Sequence, residues 1–201
     1  MTMPYRILLF ALAFLPAARV ATQECPTAET AKAGFVLERR GTQAEVRPTS
    51  ENFVHVVNTY PNGTKQDVIY YRGLFEISRF DNVARRFNVL LTDLRSIFPL
   101  DGKSRRAVTF APADSKKVSA PISQEMTVVG QEKLQLGQCS YPVLTIRNRF
   151  MNAEGRVLSE HTALYSADLG FVLGKRYDEK GGRQTTMLYQ SIRPLARSAP
   201  L

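Results

Sequence analysis

Apolar and polar residues alternate along most of this chain, which is the pattern of β-strands that bury one face and leave the other toward water. The clearest example is the run at residues 141–150, which is followed by a turn at residues 152–155 and a return strand at residues 156–165. Neither face of this hairpin is purely apolar. We therefore expect one of its faces to be wet or to line a groove.

Shorter alternating runs recur from residue 34 to residue 192 and are separated by turn residues. Asn62-Gly63 between two apolar runs is a strong hairpin signal, because both residues tolerate a positive φ. The pattern predicts about ten strands joined mostly by short turns, so that neighbours in sequence are neighbours in the sheet. A sheet of this size must curl or close to protect its edges. The predicted fold is mainly β, a curled antiparallel meander sheet or open barrel.

One segment departs from the alternation and has helical spacing. Large apolar residues recur there at intervals of three and four, and they are Phe87, Leu90, Leu91, Leu94, Ile97 and Phe98. Asp81 or Asn82 can cap the start, and Pro99 ends the run. We predict one amphipathic helix over residues 83–97 that packs against the sheet, with a position on a membrane surface as the alternative.

The N-terminal residues have the composition of a secretory signal peptide. Arg6 is followed by a nearly apolar run of about 12 residues, which is too short for a membrane span of about 20. We predict cleavage after Ala21, one β domain at residues 22–192 and a flexible tail at residues 193–201. Retention of the segment as an anchor is the alternative, and no later segment is apolar enough to span a bilayer.

Basic residues outnumber acidic ones, with 27 Lys and Arg against 18 Asp and Glu and a formal net charge of +9. In an exported protein this excess reflects either an ordinary soluble surface or attraction to an anionic envelope component, such as lipid head groups or acidic polysaccharide. Nucleic acid is not an expected partner, because aromatic residues do not interleave with a basic run as single-strand binding requires.

The two cysteines, Cys25 and Cys139, form an even count in a chain predicted to be exported, and that compartment favours a disulfide. The bridge would close a long loop and contribute roughly 4 to 5 kcal/mol in the chain-entropy picture. A redox pair is the alternative. No Cys-x-x-Cys spacing is present, and neither thiol has a basic or histidine neighbour to activate it.

Catalytic and metal-binding chemistry has few candidates in the sequence. His55 and His161 are the only histidines, and no carboxylate or cysteine stands at ligand spacing beside either one. The sequence also lacks a Gly-x-Ser-x-Gly turn and a glycine-rich phosphate loop. We therefore predict no catalytic residue, cofactor or metal.

An aromatic corner follows the central hairpin. Tyr165, Phe171 and Tyr177 lie close together in sequence, with Arg176 beside them and His161 in the preceding strand. Core packing at a bend of the sheet accounts for such a cluster. The functional alternative is the mouth of an apolar cleft beneath the curled sheet, and these five residues are the predicted ligand cleft.

Three short motifs follow one another in the second half of the chain: Phe98-Pro99-Leu100 with Gly102-Lys103-Ser104, then Val129-Gly130-Gln131-Glu132, then Tyr165-Ser166 with Leu169-Gly170-Phe171-Val172. Together they resemble a loose group of exported, β-rich proteins of Gram-negative bacteria, most of them of unknown function. The resemblance covers residues 97–192. It implies an antiparallel sheet curled around a helix, somewhat like the periplasmic lipoprotein carriers, and it implies no catalytic residues.

Two functions of different class stay open at this point. The first is a non-enzymatic periplasmic or envelope protein that binds an apolar or amphipathic ligand, or a partner protein, with its curled sheet. The second is a periplasmic hydrolase or modifying enzyme that acts on a cell-wall or surface polymer. His161 beside a carboxylate in a cleft would favour the enzyme, and a continuous apolar groove would favour the binding protein.

Overall fold

The computed structural model describes residues 24–101, 104–178 and 184–196. In these residues thirteen strands form one antiparallel sheet, and the helical segments are two 3₁₀ turns at Thr30–Ala33 and Leu94–Ile97. The strands are β1 Phe35–Arg39, β2 Thr42–Pro48, β3 Phe53–Thr59, β4 Lys65–Tyr71, β5 Phe75–Asp81, β6 Arg85–Leu90, β7 Arg105–Asp114, β8 Ile122–Leu136, β9 Cys139–Met151, β10 Val157–Ser166, β11 Phe171–Asp178, β12 Gln184–Leu188 and β13 Ser191–Pro194. The predicted mainly β fold is therefore confirmed.

The first twelve strands are paired in sequence order, which confirms the predicted meander. The last strand, β13, does not pair with β12. It crosses to the opposite edge of the sheet and pairs with β1, so that Leu37 lies opposite Ile192. The backbone N–H of Gln190, in the link before β13, donates to the Glu38 carbonyl at 2.7 Å. The sheet is therefore curled into a half-barrel whose two edges lie close together.

Two parts of the sequence-based prediction lie wholly or partly outside the described residues. These are the signal peptide at residues 1–21 and most of the predicted tail. The first two residues of that tail, Arg193 and Pro194, belong to β13.

The predicted helix over residues 83–97 is wrong. Residues Arg85–Leu90 form β6, which pairs with β5 on one side and with β7 on the other. Only Leu94–Ile97 is helical, and it is a single 3₁₀ turn. The carboxylate of Asp93 starts this turn by accepting the Arg95 backbone N–H at 2.9 Å.

The apolar spacing in this segment combines two different burial patterns. Leu94 and Ile97 in the 3₁₀ turn are 5% and 1% exposed, so they belong to the core. Phe87, Leu90 and Leu91 are between 40% and 57% exposed. The apolar residues spaced at three and four therefore include buried residues of a turn and exposed residues of a strand. They do not share one face of a helix.

Two hydrophobic cores lie on opposite faces of β10. Ala163 and Tyr165 pack into one core with Phe75, whereas Leu164 between them packs into the other with Phe35. The last four residues of β10, through Ser166, are consequently buried on both faces. β10 therefore separates the two cores. β1 and β13 contribute Phe35 and Ile192 to one core, and β5 and β7 contribute Phe75 and Phe110 to the other.

A disulfide joins Cys25 to Cys139, with an S–S distance of 2.04 Å and a sequence separation of 114. The predicted bridge is therefore confirmed. It ties the segment before β1 to the start of β9. Next to it, the Tyr141 hydroxyl donates to the Pro26 carbonyl at 3.0 Å.

Two turns from distant parts of the chain touch where the sheet curls over. Gly73 lies between β4 and β5, Gly170 lies between β10 and β11, and both have a positive φ. A methyl group on Gly73 would overlap the Gly170 carbonyl oxygen. Beside this contact, the Tyr165 hydroxyl donates to the Arg72 carbonyl at 3.2 Å.

We expect removal of the disulfide to destabilise the fold strongly. The double variant Cys25→Ala/Cys139→Ala should lower the free energy of unfolding by about 4 kcal/mol, because the unfolded chain regains the entropy of a long loop. Urea denaturation of the variant, and of the wild type with and without reductant, measures this loss. A loss below about 1 kcal/mol would contradict the loop-entropy explanation.

We expect Gly73→Ala to lower the free energy of unfolding by about 3 kcal/mol, since a left-handed φ and an overlap with Gly170 act together. Gly155→Ala is the matched control, because Gly155 also has a positive φ but has no atom within 4 Å of the added methyl group. Its loss should stay near 1 kcal/mol. Equal losses for the two variants would show that the turn contact is unimportant.

Candidate functional site

Two adjoining cavities lie inside the curl of the sheet, with volumes of about 360 Å³ and 210 Å³. They share Tyr70, Leu74, Val172 and Lys175. We call the combined space the Lys175 cavity, with a larger and a smaller lobe. The larger lobe reaches from β1–β5 to β11 and β12, and the smaller lobe reaches from β4–β7 to β8–β11.

Lys175 comes from the middle of β11 and enters the cavity because of strand register. It lies opposite Ala163, so its side chain shares the face of the sheet that Ala163 presents to the second core. Lys175 is partly buried. Desolvation lowers the pKa of its ammonium and Arg79 acts in the same direction, whereas the negative charge of Glu76 opposes both.

The nearby carboxylate of Glu76 is already engaged by Arg79. The Arg79 guanidinium donates to both Glu76 oxygens, at 3.1 Å from Nε and 2.5 Å from Nη2. Among the described residues, no carboxylate lies within ion-pair distance of the Lys175 ammonium. Lys175 is therefore a partly desolvated cation that borders open space and lacks a fixed counter-ion in the described chain.

The larger lobe is rich in cations and phenols. Three basic side chains line it, those of Arg39, Arg79 and Lys175, and no Asp or Glu of the described residues does so. Four tyrosines line the same space: Tyr60, Tyr70, Tyr177 and Tyr189. Desolvation raises the pKa of the Tyr70, Tyr177 and Tyr189 hydroxyls. These groups stay neutral at ordinary pH, so they can serve as hydrogen-bond donors.

The smaller lobe contains amides that already have partners. Gln124 donates to the Asn148 side-chain oxygen at 2.8 Å, and Asn148 in turn donates to the Ile146 carbonyl at 3.0 Å. Asn88 donates to the backbone carbonyl of Glu76 at 2.7 Å. The polar wall of this lobe is therefore fixed by its own hydrogen bonds, which orient the amides before any ligand arrives.

His161 lines the smaller lobe and lies between two aromatic rings. Its ring centroid is 5.7 Å from that of Phe150, with the planes nearly parallel, and 5.4 Å from that of Tyr177. Burial, with a smaller contribution from the charge of Lys175, lowers its pKa to about 4. His161 is therefore a neutral aromatic group at neutral pH.

The five residues of the predicted ligand cleft are distributed over different environments. Phe171 and Tyr177 line the larger lobe, and His161 lines the smaller one. Tyr165 is buried in the second core. Arg176 alternates with Lys175 along β11 and therefore points to the other face, where it donates to both carboxylate oxygens of Glu132. The structure thus brings three of the five residues to the cavity.

The sequence-based prediction does not include the charged residues of the cavity. Lys175 is two positions from Tyr177 in an alternating strand, so its inward direction could have been inferred from Tyr177. Glu76, Arg79 and Tyr70 come from β4 and β5, about a hundred residues earlier, and no sequence signal connects them to Lys175.

The second histidine, His55, lies on the other side of the fold and contacts Asp67, with 2.9 Å between Nε2 and Oδ1. Among the described residues, no group of three or more His, Cys, Asp and Glu side chains is arranged to hold a metal ion. In the same residues, no helix has the length and hydrophobicity needed to cross a membrane.

The fold and its site define a β protein built from a single curled sheet with a cation-lined internal cavity. No protein-family model and no curated protein matches the chain. Among solved structures, the chain is similar to the hypothetical lipoprotein YmcC from Escherichia coli K12. The two share 12% sequence identity with a TM-score of 0.46, over 87% of this chain and 90% of that one.

We expect the stability of the protein to fall as the pH decreases from about 6.5 to 4, because His161 takes up a proton in the unfolded state but not in the folded one. The depressed pKa corresponds to a loss on the order of 3 kcal/mol across this range. His161→Phe keeps an aromatic ring in the stack and cannot be protonated, so its stability should decrease less than that of the wild type. Urea denaturation at several pH values measures this difference.

A proton NMR titration of the His161 ring tests the same point directly. A midpoint near pH 4 is the expected result. A midpoint at the ordinary value of about 6.5 would show that the ring is solvated and that the cavity wall is open at this place.

Proposed function

We propose that this chain is an exported envelope protein without enzymatic activity, and that it binds a small amphipathic molecule with an anionic group in the Lys175 cavity. The observation that carries this proposal is the charge of the larger lobe. Arg39, Arg79 and Lys175 line it and no carboxylate of the described residues does so, and because Arg79 is paired with Glu76 beside the lobe, the excess charge is that of Arg39 and Lys175. An anionic group on a ligand would supply the counter-charge that Lys175 lacks.

The volume of the cavity limits the size of the ligand. Sites for small molecules range from about 300 to 1,000 Å³, and the larger lobe lies near the lower end of that range. The ligand is therefore a single small molecule or a short apolar chain with one head group, and a lipid with several long chains would not fit inside.

The apolar part of the proposed ligand would contact apolar side chains of the larger lobe. Leu74, Phe171, Val172 and Met187 line the larger lobe together with the charged groups, and Met187 lies opposite Lys175 in the strand register. A ligand with its anionic group at Lys175 and an apolar portion against these side chains would satisfy both kinds of surface. This mixture of cations and apolar side chains in one wall favours an amphipathic molecule over a purely polar anion.

Export is supported by two independent features of the chain. The N-terminal sequence has the charge and apolar run of a signal peptide. The Cys25–Cys139 disulfide is a feature that persists in oxidising compartments. We therefore place the protein in the periplasm or outside the cell, as a soluble or anchored component of the envelope.

The alternative function, a hydrolase or polymer-modifying enzyme, would require His161 to lie beside a free carboxylate. The charge that acts on His161 is that of Lys175, and the carboxylate of the described residues that lines the same lobe, Glu76, is held by Arg79. A purely apolar groove, which would favour simple lipid binding, is not present either, because charged groups line the cavity. An anion-binding cavity accounts for both findings.

We expect decanoate to bind to the purified protein and decanol to bind more weakly, because only decanoate supplies a negative charge to Lys175. Lys175→Met should weaken decanoate binding about tenfold, which corresponds to the loss of one charge-assisted hydrogen bond. Lys133→Met is the matched control, since Lys133 is exposed on β8 outside the cavity, and it should leave binding unchanged. Isothermal titration calorimetry measures these four affinities.

Equal binding of decanoate and decanol, or equal effects of the two lysine variants, would contradict the proposed role of Lys175. Native mass spectrometry of the protein purified from an envelope fraction complements this test. A small adduct that is lost on denaturation would support a bound ligand, and its mass would narrow its chemical class.

A further inference from the structure

Five hairpin turns of the meander lie at one end of the sheet. In an antiparallel meander every second turn lies at the same end, so the connections that follow β1, β3, β5, β7 and β9 are neighbours in space. We call this the turn end, and it comprises residues 40–41, 60–64, 82–84, 115–121 and 152–156. Strand register agrees with this placement, since Arg86 lies opposite Asp114 and Gln66 lies opposite Asp81.

Apolar side chains project from the turn end into solvent. Val83 at the tip of the β5–β6 hairpin is 94% exposed, and Val118 after β7 is 64% exposed. Phe80 and Phe87, just behind Val83, are each 44% exposed, and Leu158 after the β9–β10 turn is 47% exposed. Single exposed apolar residues are ordinary on protein surfaces, but several at the tips of adjacent turns mark an interaction surface.

The same turns are strongly basic. Six exposed cations lie in or directly beside the four turns from β3–β4 to β9–β10, and they are Lys65, Arg85, Arg86, Lys116, Lys117 and Arg156. The carboxylates in the same described stretches are those of Asp81, Asp114 and Glu154. The excess of positive charge therefore surrounds the apolar tips, and Arg85 itself lies over the Phe80 ring at 4.9 Å.

The larger lobe of the Lys175 cavity reaches toward the turn end. Thr42, directly after the β1–β2 turn, and Tyr60, in the β3–β4 turn, both line that lobe. Gly41 and Pro61 are within van der Waals reach, so these two turns form one continuous rim. A surface that docks at the turn end would face the opening of the cavity.

We propose that the turn end docks on the surface of an anionic lipid membrane. Val83 and Val118 enter the head-group region, and the surrounding lysine and arginine side chains contact lipid phosphates. Apolar residues encircled by cations are the combination that binds such interfaces, because insertion and electrostatic attraction add. A folded partner protein would require a single complementary apolar patch, whereas here the apolar tips are spread over separate turns.

The test is co-sedimentation of the full mature chain with vesicles. Vesicles of phosphatidylcholine with about 30% phosphatidylglycerol should bind the protein, vesicles of pure phosphatidylcholine should not, and binding should weaken as salt increases. Val83→Ser/Val118→Ser should reduce binding several-fold without any change of charge. Lys116→Glu/Lys117→Glu should reduce it about tenfold or more.

The matched controls are Val129→Ser and Lys133→Glu on β8. Val129 is 49% exposed and Lys133 is exposed, and both lie farther along β8 from the turn end. Neither control should alter binding. Thermal unfolding of every variant checks that the fold is intact, and the tip residues should tolerate substitution because they have few neighbours.

Three results would overturn the proposal. They are the failure of the wild type to bind anionic vesicles, an equal loss of binding in the β8 controls, and a loss that occurs with the lysine variants but not with the valine variants. The last result would indicate a purely electrostatic partner such as an acidic polymer. Because these variants leave the Lys175 cavity intact, decanoate binding should be unchanged, so the outcome is independent of the proposed ligand site.

Discussion

The architecture depends on one covalent constraint, the short link between the two edges of the sheet. In a flat meander, β12 and β1 would be roughly 50 Å apart, since neighbouring strands are spaced about 4.8 Å. Only Tyr189 and Gln190 separate β12 from β13, and that link spans at most about 11 Å when extended. Because β13 pairs with β1, the sheet has to curl until its edges nearly meet, and the cavity is the space enclosed by that curl.

The curl also explains why β10 has apolar residues on both faces. Ala163, Leu164 and Tyr165 in β10 are buried in succession, with alternate residues entering different cores. In a sheet with one face toward water, a run of three buried residues would break the alternation of buried and exposed positions. Here residues of β1 and β13 complete the core on one face of β10, and residues of β5 and β7 complete the core on the other. This stretch of β10 therefore has no face toward water.

Much of the fold follows from the sequence, because alternation is a local property. The runs at residues 141–150 and 156–165 predicted the central hairpin, and two cysteines in a chain predicted to be exported indicated their bridge. The segment at residues 83–97 was misjudged for a physical reason. Spacing reports where apolar residues recur, but not whether they are buried. Phe87 and Leu91 are exposed, so their positions carry no information on a buried helical face.

The site was harder to predict than the fold, because its chemistry arises from long-range contacts. Aromatic residues near β11 pointed to the cavity, and Phe171 and Tyr177 do line it. A lysine in a strand looks like part of a solvated face, however, when its partners are unknown. The environment of Lys175 is set by Glu76, Arg79 and Tyr70 from β4 and β5. Only the curl of the sheet brings these groups together, and no local pattern encodes their proximity.

The balance of charge around Lys175 is the strongest argument for an anionic ligand. A partly desolvated ammonium is costly unless a negative group compensates it. The carboxylate of the described residues that acts on Lys175, Glu76, is shared with Arg79, so the pair contributes little net charge to the cavity. If Lys175 served only to stabilise the fold, a carboxylate paired with its ammonium would be more favourable. An apolar side chain at position 175 would be more favourable as well. A cation beside open space is favourable when the compensating charge comes from outside the chain, and the proposed anionic ligand would supply that charge.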